Sequence, residues 1–196
     1  MSGMTIKDGT GAGYEGKVDS NSRVHTYSVT VPEAGQANID GYAYNVNTGD
    51  ITLTNATETP VLYIKNNEDK DLNIESMILY AGTSTGGTAT LGVKWVIVRN
   101  PTAGTIVSGA TAVDIESNRN YGSNNTVLLD SYKGATGSTM TGGDDHIIVR
   151  GATFARSVIT INEIIPKGSS IGIKVAAPTS NTSMVVYAAA VCHLDG

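Results

Sequence analysis

One glycine-rich stretch has the spacing of a phosphate-binding loop. Gly11, Gly13 and Gly16 match the pattern that cradles the pyrophosphate of a dinucleotide, and Lys17 extends the match toward a P-loop. Both motifs need a buried strand before the glycines and a helix after them, whose first amides hold the phosphate. The residues that follow favour a turn instead, and Val18 stands where a P-loop requires a hydroxyl group for magnesium. We therefore expect no nucleotide site.

The three histidines offer little for a metal site. His25, His146 and His193 are far apart in the sequence, and only Asp144 and Asp145 place further ligand types beside one of them. A catalytic metal needs several ligands that converge at fixed spacing. The two aspartates are better explained as a polar turn before a strand, and His193 as a core or interface histidine near the end of an apolar strand. No metal ligand and no cofactor are predicted.

The candidate nucleophiles and acids lack partners for catalysis. The nearest approach to a nucleophile elbow is the stretch Gly168-Ser169-Ser170-Ile171-Gly172, but it has turn chemistry and no base can be assigned to it. Cys192 would have to be exposed and activated, whereas its apolar neighbours predict a small buried side chain. Paired carboxylates for glycoside hydrolysis could in principle be drawn from a scattered acidic set, Glu58, Glu68, Asp69 and Glu75. The sequence predicts no catalytic residue and no enzyme.

The charge balance argues against nucleic acid, and the hydropathy argues against a membrane. Lys and Arg number 13 against 18 Asp and Glu, for a net charge of −5, and no basic run is present to meet phosphates. The first residues lack the apolar stretch of about 7–15 residues of a signal peptide, and no run of about 18 apolar residues could span a bilayer. The one cysteine excludes an internal disulfide. We expect a protein made in a cytoplasm, with no nucleic acid and no membrane as partner.

Short runs with apolar side chains at every second position predict an all-β fold of about ten strands. These strands are expected at 23–31, 42–46, 51–54, 61–65, 72–80, 91–98, 146–150, 159–161, 171–175 and 183–194. The polar turns at 66–71 and 166–169 predict hairpins, and 124–132 has room for one or two helical turns. Both faces of the last strand are apolar, which indicates cover on both sides, inside a sandwich or at a subunit interface.

The composition divides the chain into an arm and a domain. Residues 1–32 carry closely spaced glycines and few apolar anchors, so they predict an extended arm that becomes ordered only against a partner. Residues 33–196 form the expected β-sandwich domain. Within it, the region at about 100–145 is rich in Gly, Ser, Thr and Asn, and it predicts one long insertion of loops between core strands.

Several segments resemble the small virion structural proteins of tailed bacteriophages. They are residues 6–11, 17–19 and 23–25 at the start, 58–67 near the first core strands, and 165–186 toward the end. The resemblance implies a jelly-roll β-sandwich with an extended N-terminal arm, which trimerises and attaches to the outside of a viral head as a decoration or cement protein. Its partner would be the major capsid protein. The arm positions carried over as candidates for capsid contact are Ile6, Lys7, Asp8, Gly9, Gly11, Lys17, Val18, Asp19 and Arg23.

The leading hypothesis is thus a non-enzymatic virion protein on the capsid surface, which bridges neighbouring capsid subunits through its arm and stabilises the shell. The alternative is a tail or head-fibre module whose loops at 100–145 recognise a host-surface carbohydrate, with Tyr121 and Tyr132 available to stack on sugars. A third reading, a cupin-like or hydrolytic enzyme on a jelly roll, would need a metal triad or carboxylate pair that the sequence does not supply.

Overall fold

The computed structural model describes residues 32–54, 57–83, 92–109, 111–151, 156–177 and 183–195. Residues 33–196 form one compact unit, and the architecture reported is that of this unit. The predicted arm, its capsid-contact candidates and the strand predicted at 23–31 lie outside the described residues.

The described residues contain one short helix and eleven strands. In chain order these are α1 (Glu33–Asp40), β1 (Ala43–Asn47), β2 (Ile51–Leu53), β3 (Thr59–Asn66), β4 (Leu72–Thr83), β5 (Val93–Arg99), β6 (Ile115–Asn118), β7 (Leu129–Lys133), β8 (Asp144–Gly151), β9 (Arg156–Ile165), β10 (Ser170–Ala176) and β11 (Met184–Leu194).

The strands pair as a rolled-up hairpin, with the first half of the chain against the second. β1 pairs with β11, β3 with β10, β4 with β9 and β5 with β8, all antiparallel. These nested pairs alternate between two sheets. Sheet 1 runs β6-β1-β11-β4-β9 with β2 also beside β11, and sheet 2 runs β7-β3-β10-β5-β8. Eight principal strands joined in this way form a jelly roll. The prediction of an all-β, jelly-roll-like sandwich is confirmed.

The core lies between the two sheets and is built by the predicted alternation. In β11, Met184, Val186 and Ala188 are fully buried, and Trp95 and Ile97 of β5 belong to the same apolar cluster. Burying a side chain of this size stabilises the fold by roughly 1.5–3 kcal/mol. The opposite face of β11 is only partly covered by the described residues, since Val185, Tyr187 and Val191 keep some exposure while Ala189 is buried.

The stretch between β5 and β8 packs on the outside of sheet 2 and also adds one edge strand to each sheet. Ile106 and Met140 join Val96 and Val98 in a second apolar cluster, separate from the main core. Within the same stretch β6 pairs with β1, and β7 pairs with β3. The region at 100–145 therefore holds two short strands in addition to the loops that the sequence predicted.

Two predicted hairpins are wrong, because each polar turn crosses from one sheet to the other. Residues 66–71 connect β3 of sheet 2 to β4 of sheet 1, and residues 166–169 connect β9 of sheet 1 to β10 of sheet 2. The Asn66 side-chain amide donates to the carbonyl oxygens of Lys70 at 2.9 Å and Ile165 at 2.8 Å, which ties the two connections together. Alternation reports which side chains are buried but does not specify the neighbouring strand.

The one described helix was not predicted, and the helical turns predicted elsewhere are absent. α1 is too short to display an apolar pattern over several turns. It ends at Asp40 and is followed by Gly41, whose φ of 78° is the left-handed conformation that glycine adopts most readily. In the stretch 124–132, where one or two helical turns were expected, the chain is irregular and then enters β7. That prediction is wrong because the pairing of β7 with β3 outweighs the local preference.

Candidate interaction surfaces

One side of the sandwich is formed by two long strands that each have a neighbour on one edge only. Among the described residues β8 pairs only with β5, and β9 pairs only with β4. These strands are 8 and 10 residues long. An unpaired strand edge presents backbone N–H and C=O groups that can pair with another chain. We call the surface formed by β8 and β9 the open side.

The opposite side of the sandwich is shielded by the insertion. β6 lies along β1 and β7 lies along β3, so the edges of both core strands are already paired. The edges that remain there belong to strands of only 4 and 5 residues. Short edge strands are one of the ways in which proteins limit association through a sheet edge. The two sides therefore differ in their capacity to bind another chain.

Large apolar side chains are exposed on the open side. Ile148 of β8 is 55% exposed, and Val158 and Ile164 of β9 are 60% and 58% exposed. Ile148 pairs with Val96 on the outer face of sheet 2, whereas Val158 and Ile164 lie on the outer face of sheet 1. The exposed apolar side chains therefore flank the two strand edges on opposite faces of the sandwich. The alternating pattern alone could not identify this surface, because the pattern does not show which strands lie at the edges of the sheets.

The open side also carries features that restrict its pairing. Asn162 has a φ of 50°, and the register of β9 on β4 shifts beside it, which produces a bulge. β8 has a similar shift at His146, and His146 Nε2 lies 2.7 Å from Glu163 Oε1. Bulges at sheet edges interrupt continuous strand pairing. A partner strand would therefore meet only part of either edge.

A groove on the outer face of sheet 1 adjoins the open side. It encloses about 320 Å³ and is lined by Asp50, Ile78, Tyr80, Arg156 and Tyr187. Val158 is the register partner of Ile78, so the exposed side chain of β9 continues the apolar floor of the groove. The groove thus adds apolar and aromatic side chains to the open side, together with one acidic residue, Asp50, and one basic residue, Arg156.

The residues considered for catalysis have structural roles in the described unit. Cys192 is fully buried, its thiol faces the Tyr44 carbonyl oxygen at 3.6 Å, and burial raises the pKa of the Cys192 thiol to about 12. Glu58 accepts hydrogen bonds from Lys174 and Lys94, and the bond from Lys174 is the main cause that lowers the pKa of Glu58. The buried Cys192 thiol lacks the exposure and the lowered pKa of a nucleophile, and the lowered pKa of Glu58 is the opposite of the raised pKa that a general acid needs.

The other acidic candidates are also engaged. Glu68 accepts a hydrogen bond from the Leu128 amide at 2.7 Å, and Asp69 forms an ion pair with Lys167, which lowers the pKa of Asp69. Asp145 lies 3.1 Å from the Lys174 ammonium group. Asp144 and Asp145 begin β8 and are not in the polar turn that was expected before it. Glu58 and Asp145 thus meet at the Lys174 ammonium group, whereas Glu68 and Asp69 have other partners.

One charged set was not predicted as a group. His193 is buried, its Nδ1 lies 3.2 Å from Glu75 Oε1, and the same oxygen accepts a hydrogen bond from Arg119 at 2.9 Å. Glu33 and Asp195 place carboxylate oxygens close to the His193 ring. The His-x-Asp spacing at 193–195 sets both side chains on one face of a strand end and could have been noticed. Glu33 is far away in sequence and gave no such signal.

Comparisons with known proteins add no family to this picture. No protein-family model matches the chain, and no curated protein matches it. The chain is similar to a structure of the infectious bursal disease virus Gx strain, with a TM-score of 0.25 and 10% identity, over 78% of this chain and 31% of that one. It is similar to a structure of the Gt strain of the same virus, with a TM-score of 0.19 and 11% identity, over 78% and 40%. The chain thus spans well under half of these proteins, and its function has to be argued from its own surfaces.

No helix among the described residues is long and apolar enough to cross a bilayer.

Proposed function

We propose that this protein is a non-enzymatic structural protein of a bacteriophage virion, which binds the outside of the capsid as a homotrimeric decoration or cement protein. The observation that carries the proposal is the open side, where two long strands each have one edge without a partner among the described residues, and exposed apolar side chains flank these edges. A surface of this kind binds protein more readily than a small substrate.

The proposal assigns different contacts to different parts of the chain. The open side and the adjoining groove serve self-association, because both are built from the rigid sandwich. The predicted arm serves attachment to the major capsid protein through its capsid-contact candidates, Ile6, Lys7, Asp8, Gly9, Gly11, Lys17, Val18, Asp19 and Arg23. A trimer would present several arms at once, and such multivalency raises the effective affinity by roughly 10²–10⁴ when all sites can be reached.

The surface charge suits this role. The net charge of −5 is modest for 196 residues, and the described ion pairs combine acids with bases across the surface. Subunits packed side by side on a shell therefore meet little long-range repulsion. This role requires no catalytic residues. The candidate nucleophile of the described unit, Cys192, is buried, and the candidate acids form hydrogen bonds or ion pairs.

A lysine on the open side tests the self-association surface. Val158→Lys places a charge beside the unpaired edge of β9, where it should block strand pairing without affecting the core. We expect the wild type to be a trimer by multi-angle light scattering and the variant to be a monomer of unchanged circular dichroism. Leu128→Lys is the matched control, because Leu128 is 63% exposed but lies just before β7, outside the open side. A monomeric wild type, or a trimeric Val158→Lys variant, would contradict the assignment.

Co-sedimentation with bacteriophage heads that lack the protein tests the capsid role. Saturable binding of the trimer would support a decoration or cement function. A trimer that does not bind heads would favour the alternative, a tail or head-fibre module.

That alternative has one specific observation in its favour. Tyr121 is fully exposed in a turn of the insertion, and residues 123–127, which follow it closely in sequence, line a cleft of about 280 Å³ together with Tyr44, Glu116 and Asn118. Exposed aromatic rings beside amide groups are what a sugar-binding site requires. Tyr132 does not contribute, because its ring stacks on Tyr63 with the centroids 6.2 Å apart. Binding on a glycan array that is lost in Tyr121→Ala would favour carbohydrate recognition over decoration.

A further inference from the structure

We propose that Glu33, His193 and Asp195 form a binding site for one divalent transition-metal cation. Glu33 is the first residue of α1, His193 is the second-last residue of β11, and Asp195 directly follows β11. One ring nitrogen of His193 and one carboxylate oxygen from each acid lie within 4.8 Å of one another. The inference goes beyond the proposed function and does not depend on it.

The state of the His193 ring is the second and independent observation. His193 is 6% exposed, and its Nε2 atom is buried without a hydrogen-bond partner among the described residues. A buried polar atom without a partner is unfavourable, and native structures rarely leave one. A cation held by the two carboxylates would supply the partner that Nε2 lacks.

The other ring nitrogen is held as a metal-binding histidine requires. His193 Nδ1 lies 3.2 Å from Glu75 Oε1, and Arg119 donates to the same oxygen at 2.9 Å. A proton on Nδ1 donated to this carboxylate leaves the lone pair on Nε2. Carboxylate–histidine–metal arrangements of this kind fix the ring tautomer and its orientation.

The two acids can complete the ligand set with small movements. Asn73 donates a hydrogen bond to Asp195 Oδ1, which orients that carboxylate and leaves Oδ2 for a cation. Glu33 is exposed, so its side chain can rotate toward the ring. Ligand atoms about 2.1 Å from a tetrahedral zinc ion lie about 3.4 Å apart, which is within reach of the present spacing.

The donor set selects the class of cation. One imidazole nitrogen with two carboxylate oxygens suits Zn²⁺ and its first-row neighbours, whereas Ca²⁺ and Mg²⁺ prefer oxygen ligands alone. Three protein ligands leave a fourth position for water. The bound ion would join the start of α1 to the end of β11 and so connect the two ends of the described unit.

Titration of the chelator-treated, untagged full-length protein with Zn²⁺ tests the site. By isothermal calorimetry we expect one equivalent bound per chain, with a rise in the thermal midpoint that grows with the Zn²⁺ concentration. Glu33→Gln should weaken binding at least tenfold, and so should Glu75→Gln, which removes the carboxylate that orients the ring. His146→Gln is the matched control, because it alters the other histidine–glutamate pair and should leave the affinity unchanged.

Three results would overturn the proposal. They are no saturable Zn²⁺ binding by the wild type, equal affinities of the wild type and Glu33→Gln, and binding of Ca²⁺ at least as tight as that of Zn²⁺. His193→Gln should abolish binding as well. If that variant fails to fold, Glu33→Gln still decides the question, because the Glu33 side chain is exposed and its replacement leaves the packing intact.

Discussion

At the scale of single residues, Asn66 holds together two connections that the local sequence could not relate. Its side-chain amide donates to the carbonyl oxygens of Lys70 and Ile165, and its backbone amide donates to the Ser169 carbonyl oxygen at 3.0 Å. The side chain is fully buried. The residue therefore links both crossings between the sheets at one end of the sandwich.

Replacing this amide should destabilise the fold. We expect Asn66→Ala to lower the free energy of unfolding by about 1–3 kcal/mol, because the buried Ile165 carbonyl oxygen and the partly buried Lys70 carbonyl oxygen lose their donor. Urea denaturation followed by circular dichroism measures the loss. Asn67→Ala is the control, because the described bond of Asn67 uses its backbone amide and should persist. Equal midpoints for the two variants would show that the Asn66 side chain contributes little.

Two buried acids should make the fold sensitive to alkali. Burial is the main cause that raises the pKa of the Cys192 thiol from 9.0 to about 12 and the pKa of the Tyr44 hydroxyl from 10.0 to about 12. Above pH 9 the unfolded chain loses the thiol proton while the folded chain keeps it. The stability is therefore fully present below pH 9 and is lost as the pH rises through about 12.

Cys192→Ala tests this dependence under reducing conditions. Between pH 8 and pH 10 the wild type should lose about 1.4 kcal/mol more of its free energy of unfolding than the variant loses, because the unfolded chain releases the thiol proton over this range while the folded chain keeps it. Urea unfolding at both pH values gives the two slopes. If the free energy of unfolding falls equally in both proteins between pH 8 and pH 10, the Cys192 thiol does not cause the loss of stability in alkali.

At the scale of elements, the insertion between β5 and β8 behaves as a cover for the outer face of sheet 2. Arg99 and Asp144 are register partners, so the two core strands are adjacent even though the insertion separates them in sequence. The insertion is attached through its own apolar cluster, in which Ile106 is 1% exposed. Its packing can therefore be weakened separately from the main core.

Ile106→Ala should loosen the insertion first. Truncation of a fully buried isoleucine costs about 2–5 kcal/mol, and here the loss falls on the second cluster. Hydrogen exchange followed by mass spectrometry should show faster exchange in peptides from 101–143 than in peptides from β11. Ile115→Ala is the control, because Ile115 is 46% exposed in β6. Uniformly faster exchange over the whole unit would show that the two clusters unfold together.

At the scale of the whole molecule, the sandwich and the predicted arm should be separable. Residues 33–196 form a compact unit with its own core. Deletion of residues 1–32 should leave a folded, cooperatively unfolding protein that no longer co-sediments with heads, because the arm carries the proposed capsid contacts. If the truncated protein binds heads with wild-type affinity, the capsid contact lies in the sandwich and not in the arm.

The sequence by itself determined the class of fold and most of its strands. Alternating apolar residues predicted β10 and β11 and the burial of Cys192, because side chains of a strand point to opposite faces whatever its neighbours are. Composition and motif spacing also led to the expectation of a protein without catalysis, which stays a prediction. Only the tertiary structure decided which strands pair, since hairpin and sheet-crossing turns share the same polar residues. It likewise decided the open side and the meeting of Glu33 with His193, because residues that are distant in sequence are brought together only by the tertiary fold.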